Sequence, residues 1–455
     1  MISEPELLYD LKRLSTAYPT QSPEAANDAK LRSITADLIA LRSQGLEAYM
    51  DPLGEPRGRQ LRLERQEVAD YLDEKCVVVT GAAGGVGERL LCRLVEFQPK
   101  QIVLVDKNRE RLDEVFAELS TLAASSGIEL VKYPCDLAEA DQTDTLFSDY
   151  SADVVFHLAA ERNVVTNQLE PQSALRDNIV ATQNLVRAVT ETGVERCVFA
   201  SSRKATMYRP ENVLGSTKRL AECIVRQAAD EPTCPTRFAI VRFIAIVENS
   251  FCYHIFEEQI ARNRAVSVTD ISISHVFQNM NEAVNLLLNA GVHADRGELY
   301  GAKNIGWPIP IIDLALYMIH QSGKSLPIQI SGLRAGDNGH EYGVVDPKTF
   351  QDTMMFNVLE AYDHELLGDY VQATPFEVPD NFDDLLEDVL DSEHLDHSGV
   401  IKKLDHAVSQ VLRYNIEIAS PDLLRRLRKI LTGTKDQELW QMIQSATHHQ
   451  ELELV

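Results

Sequence analysis

A chain of 455 residues, 44% hydrophobic and 25% charged, has the composition of a globular protein and is too long for one core, so two or three structural units are expected. Acidic residues outnumber basic ones 69 to 44, and the formal charge of -25 excludes nucleic acid and anionic membrane surfaces as expected partners. The seven cysteines stand singly, several in apolar runs (Cys76, Cys92, Cys197), which reads as reduced buried thiols; with no signal-peptide pattern and no apolar run of about eighteen residues, a cytoplasmic protein is expected.

Residues 1–70 carry helical periodicity, with Leu7, Leu8, Leu11 and Leu14, then Ile34, Leu38, Ile39 and Leu41. Pro19, Pro23, Pro52 and Pro56 break them into short helices, read as an accessory N-terminal extension without chemistry of its own. Arg57, Arg59, Arg62 and Arg65 form a basic patch, read chiefly as a solvated helix face.

The organising stretch follows, KCVVVTGAAGGVG over 75–87. Cys76–Val79 is an unalternating apolar run, as a strand covered on both faces requires. Thr80 and Gly81 end it, and Gly81, Gly84 and Gly87 recur at intervals of three before a helix-forming run. Glycines suit a tight turn whose backbone must approach a pyrophosphate, and the helix start offers N–H groups and a positive dipole end. The turn residues Thr80, Gly81, Gly84, Gly85, Val86 and Gly87 are therefore coenzyme candidates. A second strand over 101–105 ends in Asp106, where a carboxylate would accept ribose hydroxyls, followed by Lys107 and Asn108.

Strand and helix patterns then alternate, with further strands expected at 128–133, 153–157, 195–201 and 237–242. Such alternation predicts an α/β fold, a doubly wound parallel sheet whose ligands gather at the strands' carboxyl ends. Asp136 and Leu137 after the third strand would reach the adenine; Leu158, Ala159 and Ala160 after the fourth, next to His157, would line the nicotinamide side. Ser201 and Ser202 close the fifth. From about residue 345 the composition shifts: 376–396 is acidic with interleaved apolar residues, and helical patterns follow at 399–416 and 421–432. The basic run Arg425, Arg426, Arg428, Lys429 could pair with the acidic stretch. His394 and His397 lack a third ligand at fixed spacing, so no metal is expected. The units expected are 1–70, a coenzyme domain at 71–345 with a smaller substrate lobe from about 244, and an acidic, helical extension at 346–455.

TGAAGGVG, VDKNRERL, HLAAERNV, DNIVATQNL, SSRKA, NVLGSTKRLAE, IVRF and GLRAG occur in order across 75–345. Together they resemble the extended short-chain dehydrogenase/reductases, in the polysaccharide-biosynthesis branch that acts as UDP-N-acetylhexosamine 4,6-dehydratases. The resemblance implies a Rossmann sheet, a nicotinamide coenzyme and a hydride that leaves the sugar and returns to it. It also implies roles by position: Ser202 and Lys204 as catalytic residues, Lys218 as the lysine of the nicotinamide ribose, and Asn178 as the asparagine of the neighbouring helix.

Several positions depart from the pattern. Arg203 stands where the family has a catalytic aspartate, and a guanidinium cannot give up a proton at neutral pH. Leu214 stands where a tyrosine is expected; the segment from Ala205 to Pro210 is two residues longer and brings in Tyr208 as a candidate base. Ile244 and Ala245 replace a Gly-Asn pair after Arg242 and Phe243, His275 replaces an arginine, Arg162 a lysine and Glu161 an apolar residue. Glu161, Arg162, Arg242, His275 and Arg334 are the expected substrate residues, suited to an anionic small molecule such as a UDP-sugar. Asp106 favours NAD by repelling a 2′-phosphate, while Lys107, Arg109 and Arg111 keep NADP open.

The expected function is thus an NAD(P)-dependent nucleotide-sugar dehydratase, epimerase or oxidoreductase with an altered acid/base set. Two alternatives stay open: an enzyme of the same fold, oxidoreductase or lyase, acting on another anionic small molecule of a specialised pathway, or a dinucleotide-binding assembly protein without turnover. A homo-oligomer, dimer or larger, is expected from the resemblance.

Overall fold

Val77, Val78 and Val79 have no accessible surface, because their strand lies in the middle of a parallel sheet. In the computed structural model, which describes residues 3–16, 25–43, 51–206, 212–303, 305–337, 357–361, 365–431 and 437–453, this strand is β1 (Cys76–Thr80). It pairs in parallel with β2 (Gln101–Asp106) on one side and β4 (Val154–His157) on the other. β3 (Glu129–Pro134) extends the sheet beyond β2, while β5 (Arg196–Ser202) and β6 (Arg237–Phe243) extend it beyond β4. The strand Arg296–Ala302 continues the parallel series, and two strands that the sequence reading did not anticipate, Tyr370–Ala373 and Glu365–Leu367, close that edge antiparallel. The nine strands thus form one mixed, mainly parallel sheet. Chain order reverses between β1 and β4, which makes the crevice at their carboxyl ends the ligand position of a doubly wound fold. Each fully buried valine or leucine of these strands contributes on the order of 2 kcal/mol.

The chain divides into two units. The larger comprises 61–243, 281–304 and 342–455, and contains the whole nine-stranded sheet. Its C-terminal part is integral to it. The helix His397–Glu417 packs on the helices Val213–Asp230 and Pro171–Leu175, and Phe382, Leu385, Leu386 and Val389 of the acidic stretch are buried on the short helix Phe382–Leu390. Lys403 takes up Asp388 at 2.5 Å, and the side chain of Arg425 pairs with Asp422 one turn away.

The smaller unit comprises 1–60, 244–280 and 305–341. The first two helices, Glu4–Thr16 and Ala25–Arg42, are part of its core: Leu7, Leu11, Leu31 and Leu38 pack with Phe256, Val266, Ile311 and Ile328. The N-terminal segment is thus continuous with the expected substrate lobe, because its apolar stripe needs a surface to cover and this lobe supplies one. Three of the four cations of the basic patch are balanced: Arg57 by Asp51 at 2.6 Å, Arg59 by Glu55 at 2.9 Å, and Arg65 by Glu96 at 3.1 Å.

Candidate active site

Gly81 has φ +69°, and a Cβ there would lie 2.7 Å from the backbone nitrogen of Ala159. At Gly87 a Cβ would lie 2.2 Å from the carbonyl oxygen of Gly81. Both positions therefore admit only glycine, and the turn they shape leads into the helix Gly85–Val95. The amides of Gly85, Val86 and Gly87 lie in its first turn, where no intrahelical acceptor exists; Gly84 and Gly85 are exposed. Leu158, Ala159 and Ala160 form the half-buried backing of the turn, the Leu158 amide donating to the Thr80 carbonyl at 3.1 Å.

Asp106 is aimed by two backbone amides: Ala83 N–H donates to one carboxylate oxygen at 3.1 Å, and Asn108 N–H to the other at 2.9 Å. Each oxygen keeps acceptor capacity for a hydroxyl. Asn108 caps the helix Arg109–Ser125 through the Arg111 amide. Two of the three cations nearby are committed: Lys107 to Asp177 at 2.6 Å, Arg111 to Glu88 and Glu114 at 2.6 and 2.7 Å; Arg109 is exposed. Asp136 accepts from the Ala138 amide and pairs with Arg176, and the Leu137 carbonyl accepts from Thr143 and Asn184.

Thr80 and His157 join the ends of β1 and β4, with the threonine hydroxyl 2.7 Å from Nδ1. Thr182 donates its own proton to the Asn178 carbonyl, so at 3.4 Å its oxygen accepts from His157 Nε2–H, and the Thr80 hydroxyl donates to Nδ1. Burial, with Lys218 adding to it, lowers the imidazole pKa to about 3, so His157 is a neutral brace between strands.

Asn178 lies in a π-helical turn, Arg176–Val180, a local expansion that turns its amide inward. Nδ2 donates to the carbonyl of Glu161, to Asn167 Oδ1 and to the Thr217 hydroxyl at 3.1–3.2 Å, and Oδ1 accepts from the Glu161 amide at 2.9 Å. The asparagine therefore fixes the loop after β4. The carboxylate of Glu161 accepts from the Asn163 amide at 2.7 Å, next to the cap of the helix Val164–Leu169; Arg162 is exposed.

At the end of β5 the chain enters a 3-10 turn, Arg203–Thr206. The Ser202 hydroxyl accepts from the Lys204 amide at 3.2 Å; Lys204 is half-buried and Arg203 buried. Tyr208 lies outside the described residues. Asn212 caps the helix Val213–Asp230 through the Gly215 amide, which sets Lys218 in its second turn. Lys218 Nζ donates to the Ala200 carbonyl at 3.0 Å and lies 5.0 Å from the centre of the Phe199 ring. Burial lowers its pKa to about 8, partly offset by Glu222. Leu214 is buried where a phenol was looked for. Thr80, His157 and, through Thr182, Asn178 thus form one hydrogen-bonded group at the ends of β1 and β4, and Ser202 and the Ala200 carbonyl that takes Lys218 lie at the end of β5.

Arg242, expected as a substrate residue, lies in the core. It has no accessible surface, and its guanidinium is taken by Glu222 at 2.8 and 2.6 Å and by Glu360 at 2.7 Å from each terminal nitrogen. The two carboxylates hold its pKa above the usual arginine range against the cost of burial. Sequence reading missed this role because Glu360 is 118 residues away and no local pattern marks it.

In the smaller unit, His275 and Arg334 line one open cleft with about 570 Å³ of empty space, walled by Phe251, Ile255, Phe256 and Ile311. His275 stands on a two-residue strand, Ser274–His275, paired with Ile309–Pro310. Arg334 is steadied by Asp337, which accepts from its Nε at 2.9 Å and from its amide at 3.0 Å. Half of the Arg334 side chain remains exposed.

Comparison with known proteins places these features in context. The family model described as "Polysaccharide biosynthesis protein" matches residues 77–362. The probable polysaccharide biosynthesis protein EpsC of Bacillus subtilis is 31% identical over 289 residues, covering 62% of this chain and 47% of that protein. The chain thus spans about half the length of the curated relative it matches. Among solved structures, Pen from Bacillus thuringiensis superposes with a TM-score of 0.59 at 24% identity, over 67% of this chain and 90% of that one. A UDP-glucuronic acid 4-epimerase from Bacillus cereus, in complex with UDP-glucuronic acid and NAD, does so with a TM-score of 0.50 at 19% identity, over 62% and 93%. At those identities the two structures attest to the fold.

Proposed function

Since this chain belongs to the polysaccharide biosynthesis protein family, in the extended short-chain dehydrogenase/reductase fold, we propose that it is an NAD-dependent enzyme that modifies a nucleotide-sugar. The observation that carries this reading is the turn after β1, where a methyl group on Gly81 or Gly87 would meet backbone and where Asp106 is aimed by the Ala83 amide. The residues fit the coenzyme: first-turn amides for a pyrophosphate, the Asp106 carboxylate for ribose hydroxyls, and Lys218 for the nicotinamide ribose. The Asp106 carboxylate, and the engagement of Lys107 and Arg111 by carboxylates, support NAD over NADP, with Arg109 the exposed cation that keeps NADP open. The B. cereus epimerase, which binds NAD and a UDP-sugar, supports the same choice of ligands.

When bound, the nicotinamide supplies reversible hydride acceptance. The chain's own residues supply the proton chemistry. Lys218, with a pKa near 8, exists in both protonation states around neutral pH and can accept or return a proton at Nζ. Lys204, which follows the Ser202 hydroxyl, is the second amine at the end of β5. Arg203 stays cationic and can hold an anion but not donate a proton, so the set favours oxidation or epimerisation over loss of water. Within the smaller unit's own cleft, His275 and Arg334 are the proposed contacts of an anionic group.

The test uses the purified full-length chain. NADH binding is followed by fluorescence, and incubation with NAD and UDP-glucuronic acid or UDP-N-acetylglucosamine is followed by NMR of the sugar. Micromolar coenzyme binding and a new sugar product are expected, with Gly87→Ala weakening NADH binding by roughly 100-fold or more, about 2.7 kcal/mol. Coenzyme binding without any product from either sugar would favour the two alternatives, an enzyme acting on another anionic small molecule or the assembly protein, to which last Leu214 and Arg203 lend weight. Absence of coenzyme binding would overturn all three.

A further inference from the structure

Behind Ser202 and Lys218 lies a group of four ions, Arg219, Glu222, Arg242 and Glu360, whose side chains are all at least 96% buried. Two cations and two carboxylates sum to zero charge, the condition for holding ions away from water. Glu360 is the member that joins the others. Its Oε1 accepts from Arg219 Nη1 at 3.1 Å and from Arg242 Nη2 at 2.7 Å, and its Oε2 accepts from Arg242 Nη1 at 2.7 Å. Burial raises the Glu360 carboxyl's pKa, and Arg242 and Arg219 more than offset this, so the group stays ionised.

Glu360 is itself held in a reciprocal cap. Asn357 Oδ1 accepts from the amides of Leu359 and Glu360 at 3.0 and 3.2 Å, and Glu360 Oε2 accepts from the Asn357 amide at 3.1 Å. The cap reaches outward at two points on one small element. Asn357 Nδ2 donates to the Thr206 carbonyl at 3.1 Å, and Arg219, steadied by Glu360, donates to the Ala205 carbonyl. Both carbonyls belong to the turn Arg203–Thr206, which carries Lys204. Arg219 directly follows Lys218 in the chain, and Glu222, on the same helix, completes the group and takes the Ser201 hydroxyl at 2.5 Å.

We infer that Glu360, with its cap residue Asn357, is a positioning residue for the site, holding the turn of Lys204 and the helix of Lys218 in register from within the core. The inference rests on the reading of Lys204 and Lys218 as the amines of a nucleotide-sugar enzyme. Glu360 touches neither lysine in the described contacts; it acts through Arg219, Arg242 and the two turn carbonyls.

Hydrogen exchange read by mass spectrometry on the full chain tests this, with Glu360→Gln, which keeps the side-chain volume and removes the charge, and Asn357→Ser, which keeps a capping oxygen and removes the donor to Thr206. Exchange in the peptide spanning Arg203–Thr206 is expected to quicken at least about tenfold in both variants, while the Cys76–Gly87 peptide is unchanged and NADH affinity stays within about twofold. With a sugar substrate, kcat is expected to fall about tenfold at a KM within about twofold of the wild type. Unchanged exchange in the turn, or exchange that rises equally in both peptides, would overturn the inference. If Glu360→Gln does not fold, Asn357→Ser decides alone. Exchange does not depend on turnover, so a wild-type chain inactive on both sugars would count against the proposed activity and leave this test readable.

Discussion

Lys218 is a cation placed where water cannot solvate it, with the Ala200 carbonyl and the Phe199 ring face as its nearest partners. A lysine whose pKa falls from 10.5 to about 8 on folding destabilises the folded state below pH 8, and the penalty is relieved as pH rises towards 10.5. The relief amounts to about 3 kcal/mol over that interval. Replacing the residue by methionine removes the titration. Lys218→Met is therefore expected to be more stable relative to wild type at pH 7 than at pH 10, as read by urea unfolding at the two pH values; parallel stabilities would show that Nζ is solvated. Gly81, Gly87 and Asp106 were legible as candidates because each lies within a short motif whose spacing carries its geometry, and Lys218 through the family resemblance. The π-turn that aims Asn178 and the ion partners of Arg242 were not, since neither leaves a local signature.

At the level of elements, the alternation of apolar runs with helical patterns predicted β1 to β6 to within a residue or two at each end. A parallel strand buried on both faces has a signature that survives without context. The antiparallel strands Glu365–Leu367 and Tyr370–Ala373 are too short to show a period, and the acidic stretch after them masks a buried apolar stripe on Phe382–Leu390. Reading 346–455 as an appendage therefore understated it. Because its helix His397–Glu417 covers the helix that carries Lys218, the C-terminal part should unfold together with the sheet. Leu412, with no accessible surface, lies in that helix. Leu412→Ala is expected to cost about 2–5 kcal/mol and to lower a single calorimetric transition of the larger unit. An additional early transition confined to the C-terminal helices would contradict this.

Across the whole molecule the dominant quantity is charge. A formal charge of -25 with a pI near 4.9 repels polyanions at long range, whereas the proposed coenzyme would be held at short range, where the amides of the glycine turn act locally. The chain is expected to pass through a heparin column without retention at about 0.1 M salt while still binding NADH in the same buffer; retention would reveal a basic face that local carboxylates do not cancel. The net charge was readable from composition alone. The division into two units was not, because the smaller one is assembled from three separate stretches of chain.

That discontinuity sets an order of events during synthesis. The amide of Ile328 donates to the Thr35 hydroxyl at 2.9 Å, and that of Ile330 to the Ser15 hydroxyl at 2.9 Å, so the first helices obtain these partners only after nearly three hundred further residues have been made. At about 5–20 residues per second, that is a wait of roughly 15–60 s in which the leucine stripe of the opening helices lacks part of its core, Ile311 and Ile328 among it. A nascent chain stalled before residue 311 would leave that stripe incompletely covered, so the ribosome-bound form should depend on chaperones in a way that the finished protein does not.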